Sequence, residues 1–357
     1  MVHAPIRLLI AASGTGGHVF PAIALAEHLS DYEIEWLGVP NRLETQLVPK
    51  QYRLNTIAVE GFQQGFGISS VRILVKLIGS ILEVRKILQQ GKFQGVFTTG
   101  GYIAGPSVIA ARSLGLPVIL HEANALPGKV TRFFGPWCSA VAVGFEVASG
   151  YLPRVKTIYT STPVRSQFLQ ARIEASLDLP IPDGVPLIVV FGGSQGAVAI
   201  NKLVRQCAHA WFDAGAWVVH LTGDKDPEAD TLKHSQYINL QFYDNMAALL
   251  QRANLAITRS GAGSLTEMAV CGTPAILIPY PFAAEDHQTY NAEVFTSVGA
   301  AIAFKQAELT AEVLQKKVLD LLQHPEELRK MGEAAKAIAV PDSAEKLAQL
   351  VREVVER

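Results

Sequence analysis

Two glycine-rich turns, far apart in the chain, have the residue types that bind phosphate groups. The apolar run 6–12 breaks into Ser13-Gly14-Thr15-Gly16-Gly17-His18, and a helical pattern follows. The run 187–191 breaks in the same way into Gly192-Gly193-Ser194-Gln195-Gly196. Glycine lets a ligand approach the backbone closely, and a helix N-terminus offers free N–H groups and a partial positive charge. The pattern predicts two nucleotide-binding domains that face each other across a cleft, in an enzyme that joins two substrates.

His18 is the candidate catalytic base of the first turn. A neutral imidazole at a helix start can accept the proton of a substrate hydroxyl, and a structural or helix-capping histidine is the alternative. The turn differs from G-x-x-x-x-G-K-[ST] and no lysine follows it, which excludes an ATP-type P-loop. Backbone groups of this turn are expected to contact a phosphate.

A third glycine turn follows the apolar run 96–99. Gly100-Gly101-Tyr102 leads into Gly105-Pro106, and proline suits the first turn of a helix. Open α/β sheets bind ligands at the carboxyl ends of their strands, so this turn and the first are expected at one edge. Tyr102 can stack on a sugar or hydrogen-bond to it, or it can be a packing residue. His121-Glu122-Ala123-Asn124 ends the next strand and is a weaker candidate.

Two groups in the second half suit a nucleotide. Ser194 can donate a hydrogen bond to a phosphate oxygen. The run 259–267, Arg-Ser-Gly-Ala-Gly-Ser-Leu-Thr-Glu, combines a glycine turn, a helix start and an acid one turn inside the helix. The Glu267 carboxylate can accept hydrogen bonds from both hydroxyls of a ribose. The alternative is a capping box, in which Ser264 caps the helix and Glu267 lies three residues later.

Other chemistry is poorly supported. Asp224-Lys225-Asp226 matches the D-x-D pattern of metal-binding sugar transferases, but a solvated turn is favoured. No other grouping has zinc-ligand spacing, and neither a metal nor a cofactor is predicted. Ser194 lies one position away from the serine of a G-x-S-x-G nucleophile elbow.

Composition bounds the class of protein. The 357 residues suit two domains, and 49% hydrophobic residues can form large cores. Three cysteines, an odd number that forms no spaced disulfide framework, indicate buried thiols in a reducing cytoplasm. The N-terminus has no secretory pattern, and no apolar stretch reaches about 18 residues, so no membrane span is predicted. A net charge of −1 argues against nucleic acid as a partner.

The positive charge lies mostly in the first half. Residues 1–163 carry 14 Lys and Arg against 9 Asp and Glu, whereas residues 164–357 carry 17 against 23. Within 71–92, one helical face carries Arg72, Lys76, Ser80, Glu83 and Lys86, and a broad arc carries Ile73, Leu74, Leu77, Ile78, Ile81, Leu82 and Leu88. Such a helix can lie on an anionic membrane surface, or it can be a crossover helix buried against its sheet.

Alternating apolar runs and amphipathic patterns predict an α/β fold with two Rossmann-like domains and parallel sheets. Strands are predicted at 6–12, 34–38, 55–59, 94–99, 117–121, 140–143, 156–159, 186–191, 217–221, 237–241, 255–258, 275–278 and 301–303. Helices are predicted at 19–30, 42–49, 69–90, 105–115, 127–134, 198–213, 245–252, 264–271, 288–298, 310–322, 325–338 and 342–356. The polar cluster Thr160-Ser161-Thr162-Pro163 predicts the domain boundary, with domains at 1–163 and 164–340.

Seven motifs, in order, resemble those of the MurG family, the bacterial N-acetylglucosaminyltransferases that complete the lipid-linked peptidoglycan precursor. They are Ser-Gly-Thr-Gly-Gly-His-Val-Phe-Pro-Ala at 13–22, Thr-Gly-Gly-Tyr-Ile-Ala-Gly-Pro at 99–106, His-Glu-Ala-Asn at 121–124, Pro-Val-Arg at 163–165, Gly-Gly-Ser-Gln-Gly-Ala at 192–197, the run 259–267 and Asp-His-Gln-Thr-Tyr-Asn-Ala at 286–292. The resemblance implies a glycosyltransferase fold of the B type, with the last helix, 341–357, returning to the first domain.

The resemblance also implies substrates and roles. The first domain would bind the undecaprenyl-diphosphate-linked muramyl-pentapeptide, and the second would bind UDP-N-acetylglucosamine. The acceptor side would include Gly14, Thr15, Gly16, Gly17, Gly100, Gly101 and Tyr102, with His18 as the base. The donor side would include Asn124, Arg165, Ser194, Tyr243, Ala262, Gly263, Ser264, Leu265, Thr266, Glu267 and Gln288. In this assignment Arg165 and Ser194 contact the phosphates, the Tyr243 backbone meets the uracil, Glu267 binds the ribose, and Gln288 touches the transferred sugar.

The implied location is peripheral, at the cytoplasmic face of the plasma (inner) membrane, with other cell-wall synthesis proteins as further partners. This sequence departs from the usual pattern at Ser13, where glycine is common, at Ala123, where glutamine is usual, and at Ser161-Thr162, which replace Gly-Asn. Two other functions stay open. One is a UDP-N-acetylglucosamine 2-epimerase, and the other is a non-catalytic sensor of nucleotide sugars.

Overall fold

The chain folds into two compact units. The structure is a computed structural model that describes residues 5–59, 68–170, 177–193 and 196–357, with side chains of the third helix from residue 75 onward. The first unit is Met1–Arg165 together with Asp342–Arg357, and the second is Ser166–Pro341. Every strand and helix predicted from the sequence is present, with ends that differ by no more than three residues.

The first unit is built on a seven-stranded parallel sheet in the order β3-β2-β1-β4-β5-β6-β7. Its central strands are buried apolar runs, as expected for a parallel sheet that is covered on both faces. The strands are β1 (Arg7–Ala11), β2 (Glu33–Gly38), β3 (Arg53–Thr56), β4 (Gly95–Thr98), β5 (Val118–Glu122), β6 (Ala140–Val143) and β7 (Thr157–Tyr159). The helices are α1 (Gly16–Glu27), α2 (Glu44–Leu47), α3 (Ile68–Gln90), α4 (Ala104–Ser113), α5 (Lys129–Phe134) and, from the end of the chain, α12 (Ser343–Val355).

The C-terminal helix α12 completes the core of the first unit. Its buried Leu347 and Val351 belong to the same apolar cluster as Leu25 of α1. At the rim, the Arg352 guanidinium donates to Asp31 at 2.7 Å. The first unit is therefore assembled from the two ends of the chain.

The second unit repeats the design with a six-stranded parallel sheet in the order β10-β9-β8-β11-β12-β13. Its strands are β8 (Leu187–Phe191), β9 (Trp217–Leu221), β10 (Tyr237–Leu240), β11 (Leu255–Thr258), β12 (Ala275–Leu277) and β13 (Ala301–Ala303). Its helices are α6 (Val198–Asp213), α7 (Met246–Arg252), α8 (Ala262–Cys271), α9 (His287–Ser297), α10 (Ala311–Gln323) and α11 (Pro325–Ala337).

Both sheets have a point at which the strand order reverses. In the first unit β1 lies beside β4, and in the second unit β8 lies beside β11. Ligands of open α/β sheets bind beyond the carboxyl ends of the strands at such a switch point. The glycine turns singled out in the sequence follow β1, β4, β8 and β11, so each unit carries two of them at its switch point.

The polar cluster at 160–162 is not a solvent-exposed linker. Thr160, Ser161 and Thr162 are all buried in the first unit, which ends after Arg165. Ser161 has a φ of 62°, in the left-handed region that favours glycine.

Candidate active site

The first glycine turn links β1 to α1. Gly14 has a φ of 110°, which a residue with a side chain rarely adopts. Thr15 caps the helix in an extended conformation, and its carbonyl accepts hydrogen bonds from the N–H groups of His18 at 3.0 Å and Val19 at 3.2 Å. The N–H groups of Gly16 and Gly17 belong to the first turn of α1, where a helix supplies no carbonyl partner. The turn has the geometry of an anion site.

His18 lies against the glycine turn that follows β4. Its Nδ1 is 2.7 Å from the carbonyl oxygen of Thr99. A carbonyl can only accept, so Nδ1 carries a proton, and in the neutral ring the lone pair is on Nε2. Ideal Cβ atoms built on Gly100 and Gly101 would lie 3.9 Å from Cε1 and 3.8 Å from Nε2 of the imidazole. The structure thus brings together His18, Gly100 and Gly101, and the imidazole has the tautomer that a general base at Nε2 requires.

Glu122, which the sequence analysis left without a role, fixes the loop that carries Asn124. Its buried carboxylate accepts hydrogen bonds from the backbone N–H of Asn124 at 3.0 Å and from its Nδ2 at 3.1 Å. The second oxygen accepts from the Gly128 N–H at 3.0 Å and from Thr131 Oγ1 at 2.5 Å. The amide of Asn124 is therefore held in one orientation.

His121 is a structural histidine. It is buried, and its Nε2 lies 3.2 Å from the carbonyl oxygen of Ser161. Burial lowers the pKa of His121 to about 4, so the ring is neutral at physiological pH. His121 holds the Ser161 backbone, and His18 remains the better candidate base.

Arg165, predicted on the donor phosphates, is the last residue of the first unit. Its guanidinium carbon lies 4.3 Å from the centre of the Phe20 ring. The contact is a cation–π interaction that ties Arg165 to α1. Tyr102, the predicted sugar contact, has 49% of its surface exposed.

The glycine turn after β8 is packed against the end of β9. Gly196 has a φ of 69°, and a Cβ there would lie 2.6 Å from the Thr222 carbonyl oxygen. That carbonyl accepts a hydrogen bond from Asn201 Nδ2 of α6 at 2.9 Å. Ser194, predicted on the donor phosphates, lies outside the described residues. The described part of the turn places the start of α6 at the switch point of the second sheet.

The D-x-D segment contains one exposed and one buried aspartate. Asp226 has a fully buried side chain and accepts from Arg205 at 2.7 Å and from Asn201 Nδ2 at 2.7 Å. These hydrogen bonds lower the pKa of Asp226 although burial alone would raise it. The expectation of a solvated turn is wrong for Asp226 and holds for Asp224, which is exposed. Asp226 is a structural partner of the α6 side chains that support the glycine turn.

The helix after β11 begins earlier than the sequence predicts. α8 starts at Ala262 and is capped by Gly261, so Ser264 is already its third residue. The capping-box alternative for Glu267 is therefore wrong, because Ser264 does not cap the helix. Glu267 lies in the second turn and is partly exposed. Its ribose role stays a prediction.

Gln288 is held next to the start of α8. Ser260 Oγ donates to the Gln288 carbonyl at 2.7 Å, and Asn291 Nδ2 donates to the Ser260 carbonyl at 3.1 Å. The Gln288 side chain accepts from the Tyr280 N–H at 2.9 Å. The structure thus brings the predicted sugar contact, Gln288, close to the predicted nucleotide contacts at 262–267.

Arg259, which directly precedes Ser260 in the chain, is a buried cation. Its guanidinium donates to the carbonyls of Ile278 at 3.0 Å and Pro279 at 3.1 Å and to Gln306 Oε1 at 2.6 Å. Burial lowers the pKa of Arg259 to about 10, which still leaves it protonated at neutral pH. These partners are neutral oxygens, and the guanidinium carbon also lies 5.3 Å from the centre of the Tyr280 ring.

Tyr243 is bonded to the segment of the second unit that precedes β8. Its hydroxyl donates to the carboxylate of Asp178. Burial, together with this carboxylate, raises the pKa of Tyr243 to about 12. The predicted uracil contact involves its backbone and stays a prediction.

The apolar arc of α3 is wider than its packing requires. Val75, Ile78 and Leu82 are exposed by 64%, 50% and 60%, while Val84 and Leu88 are buried in the core. Ser80, expected on the polar face, is instead buried and donates to the Ala58 carbonyl at 2.9 Å. The side chains of Arg72, Ile73 and Leu74 lie outside the described residues.

Within the described ranges, no helix combines the length and hydrophobicity that crossing a bilayer requires. No three His, Cys, Asp or Glu side chains in the same ranges are grouped as metal ligands would be.

Comparison with known proteins gives full-length similarity. Residues 8–143 match the model of the glycosyltransferase family 28 N-terminal domain, and residues 187–347 match that of the C-terminal domain of the same family. A relative from Nostoc punctiforme is 81% identical over 356 residues and is covered completely, as is this chain. It is named UDP-N-acetylglucosamine--N-acetylmuramyl-(pentapeptide) pyrophosphoryl-undecaprenol N-acetylglucosamine transferase.

Solved structures share the fold. MurG from Acinetobacter baumannii superposes with a TM-score of 0.78 at 28% identity, covering 98% of this chain and 100% of that one. A putative UDP-N-acetylglucosamine 2-epimerase from Listeria monocytogenes gives 0.72 at 14% identity, covering 99% and 97%. At that identity the second likeness concerns the fold alone.

Proposed function

This chain belongs to glycosyltransferase family 28, and from that premise we propose how its two units carry out one transfer reaction. The enzyme moves N-acetylglucosamine from UDP-N-acetylglucosamine to the 4-hydroxyl of the undecaprenyl-diphosphate-linked N-acetylmuramyl-pentapeptide. The observation that carries this function is the 81% identity, over the whole chain, to a relative named for it.

The acceptor role of the first unit is supported by its switch point. The turn at 14–17 offers N–H groups at the start of α1, which suit a diphosphate. His18 lies beside it with Nδ1 bound to Thr99. We therefore assign the acceptor diphosphate to the turn and proton abstraction to His18 Nε2, with Tyr102 at the sugar.

The donor role of the second unit is supported by two helix starts at one switch point. The start of α6 suits the diphosphate, and the start of α8 suits the nucleoside. The contacts of Ser194 and Arg165 with the phosphates stay predictions. Glu267 accepts from the ribose hydroxyls, the Tyr243 backbone meets the uracil, and Gln288 meets the sugar.

In the reaction the acceptor's 4-hydroxyl oxygen attacks the anomeric carbon of the donor from the face opposite UDP. The bond from that carbon to the β-phosphate oxygen breaks, and its electron pair leaves with UDP. His18 Nε2 takes the hydroxyl proton, and inversion gives a β linkage. Preorganised donors such as helix N–H groups stabilise the charge that develops on the leaving diphosphate.

A product assay with labelled donor and lipid-linked acceptor tests the function. Transfer of label to the lipid is expected. Conversion of the donor to its 2-epimer would instead support an epimerase, the activity for which the Listeria protein of the same fold is named. Binding without turnover would support a sensor.

His18→Ala tests the base assignment. General-base catalysis contributes about 10²–10⁴-fold, so a loss of kcat of that order is expected with little change in donor affinity. His28→Ala is the matched control, because His28 lies at the other end of α1 and its Nδ1 contacts the Ala24 carbonyl at 2.9 Å. Equal single-turnover rates for His18→Ala and the unchanged enzyme would remove His18 from this role.

Peripheral attachment to the cytoplasmic face of the plasma (inner) membrane is also proposed. The exposed Val75, Ile78 and Leu82 of α3 offer an apolar surface, and the same helix carries Lys76 and Lys86. Reversing the charge of Arg72, Lys76 and Lys86 should weaken binding to anionic vesicles at low salt. The same reversal at the exposed Lys316 and Lys330 of the second unit is the control. Binding to other cell-wall synthesis proteins stays a prediction.

A further inference from the structure

We propose that Glu44 is the positioning residue of the acceptor-side glycine turn and that the hydroxyl of Ser13 strengthens its hold. The inference rests on the proposed function for its kinetic part only. Neither the motifs nor the assigned roles include Glu44, which lies outside every glycine turn.

The Glu44 carboxylate lies beneath the turn and accepts from three donors. Oε1 accepts from the Ser13 hydroxyl and from the Val39 N–H at 2.7 Å. Oε2 accepts from the Gly14 N–H at 3.1 Å. The side chain is completely buried. One carboxylate therefore joins the residues that follow β1 to those that follow β2.

The neighbouring backbone is shaped to admit this side chain. A Cβ on Gly38, the last residue of β2, would lie 2.7 Å from Glu44 Cγ and 3.1 Å from Oε1. Real Cβ atoms do not approach so closely, so only glycine at this position leaves space for Glu44. Glu44 is therefore an integral, buried part of the sheet edge.

The hydrogen bonds to Glu44 determine which donors of the turn can still bind a ligand. The Ser13 hydroxyl and the Gly14 N–H are already bonded to Glu44, so Gly14, although predicted in the diphosphate site, does not offer its N–H to the substrate. The N–H groups of Gly16 and Gly17 follow in the first turn of α1 and face no helical carbonyl. Glu44 consequently sets the position from which these two groups meet the acceptor.

A glycine-rich turn needs such a restraint. Glycine has more accessible backbone conformations than any other residue, so ordering three of them within 14–17 has a high entropic cost. A buried carboxylate with three donors fixes the turn before the substrate arrives, and preorganisation of that kind improves binding and turnover of the ligand concerned. The effect should fall on the acceptor and not on the donor.

The test compares Glu44→Ala and Glu44→Gln with Glu35→Gln. Glu35 is the matched control, because it is a mostly buried glutamate of β2 that accepts from Arg7 at 2.6 Å and from Asn55 at 2.9 Å, away from the turn. We expect Glu44→Ala to lower kcat/KM for the lipid-linked acceptor at least tenfold, with the donor KM within twofold. Glu44→Gln should be intermediate, since its amide retains one acceptor oxygen, and Glu35→Gln should match the unchanged enzyme.

Amide hydrogen exchange gives a readout that does not need activity. Exchange at residues 13–17 should accelerate in the Glu44 variants, while exchange in β4 and β5 stays unchanged. The proposal is overturned if a folded Glu44→Ala protein keeps kcat/KM for the acceptor within twofold of the unchanged enzyme. It is also overturned if the KM values for acceptor and donor rise by the same factor. Unchanged exchange at the turn would overturn it as well.

A milder variant decides the matter if Glu44→Ala does not fold. Ser13→Ala removes one donor and leaves the carboxylate in place, so faster exchange at Gly14 and a raised acceptor KM are expected. Exchange and acceptor KM equal to those of the unchanged enzyme would contradict the proposal. Absence of transferase activity in the unchanged enzyme would refute the proposed function alone, because the exchange comparison would still decide the role of Glu44.

Discussion

Asp226→Asn tests whether the D-x-D segment is structural, as its contacts indicate, or metal-binding, as its pattern suggests. The Asp226 side chain is 0% exposed and that of Arg205 is 7% exposed. Removing one partner of a buried ion pair typically costs about 3–5 kcal/mol, because the other charge remains buried. Arg205 also contacts the partly exposed Glu228 at 3.1 Å, so the lower end of the range, about 3 kcal/mol, is expected.

The loss should appear as unfolding of the second unit. For a domain of this size each kcal/mol corresponds to about 2–4 °C in Tm, which gives a fall of about 6–12 °C. Fluorescence of Trp211 and Trp217 reports on this unit, since both residues belong to it. Donor KM should rise too, because Asn201 contacts both Asp226 and the Thr222 carbonyl beneath the glycine turn.

Asp224→Asn is the control, because Asp224 is exposed and surface substitutions usually change stability by less than about 0.5 kcal/mol. Thermal unfolding of both variants and of the unchanged enzyme is measured with and without Mn²⁺. The reasoning is refuted if Asp226→Asn changes the free energy of unfolding by less than about 1 kcal/mol, well below the buried-pair range. A Tm that rises with Mn²⁺ only while both aspartates are present would refute it in favour of a metal site.

Three further predictions concern pH, backbone and donor binding. His121 has a folded-state pKa of about 4 against the usual 6.5, so the unfolded chain binds the proton first. Stability should therefore fall by up to about 3 kcal/mol as pH drops from about 6.5 to about 4, and acid titration of His121→Asn should show a smaller fall. Gly196→Ala should destabilise by more than Gly193→Ala in urea unfolding, because both have positive φ but only the Cβ at Gly196 would meet an atom, at 2.6 Å. Glu267→Ala should weaken UDP-N-acetylglucosamine binding by calorimetry by about tenfold or more, as expected for a lost charged hydrogen bond, and unchanged binding would remove the ribose role.

The elements and the location of the site were predictable because they depend on local patterns. A buried parallel strand is an apolar run, and a glycine turn after it marks its carboxyl end. Gly14 and Gly100 could therefore be placed at one sheet edge without a structure. That β1 lies beside β4, which makes these two turns neighbours, was not predicted and is seen only in the structure.

The supporting carboxylates were not predictable because their partners are distant in the chain. Glu44 bonds to Ser13, and Asp226 bonds to Arg205, through contacts that no short motif encodes. Asp226 was misjudged for this reason, since a charged turn gives no local sign of burial. The capping-box alternative for Glu267 failed differently, because Gly261 caps the helix without a side chain.

The return of α12 to the first unit has a consequence for biosynthesis. Leu347 and Val351 cover part of the apolar surface of α1, and they are translated only after the whole second unit. A nascent chain whose residues 1–165 have left the ribosome therefore exposes that surface while residues 166–341 are being synthesised. The second unit can form its own sheet in the meantime, so the unit that begins the chain is the last to be completed.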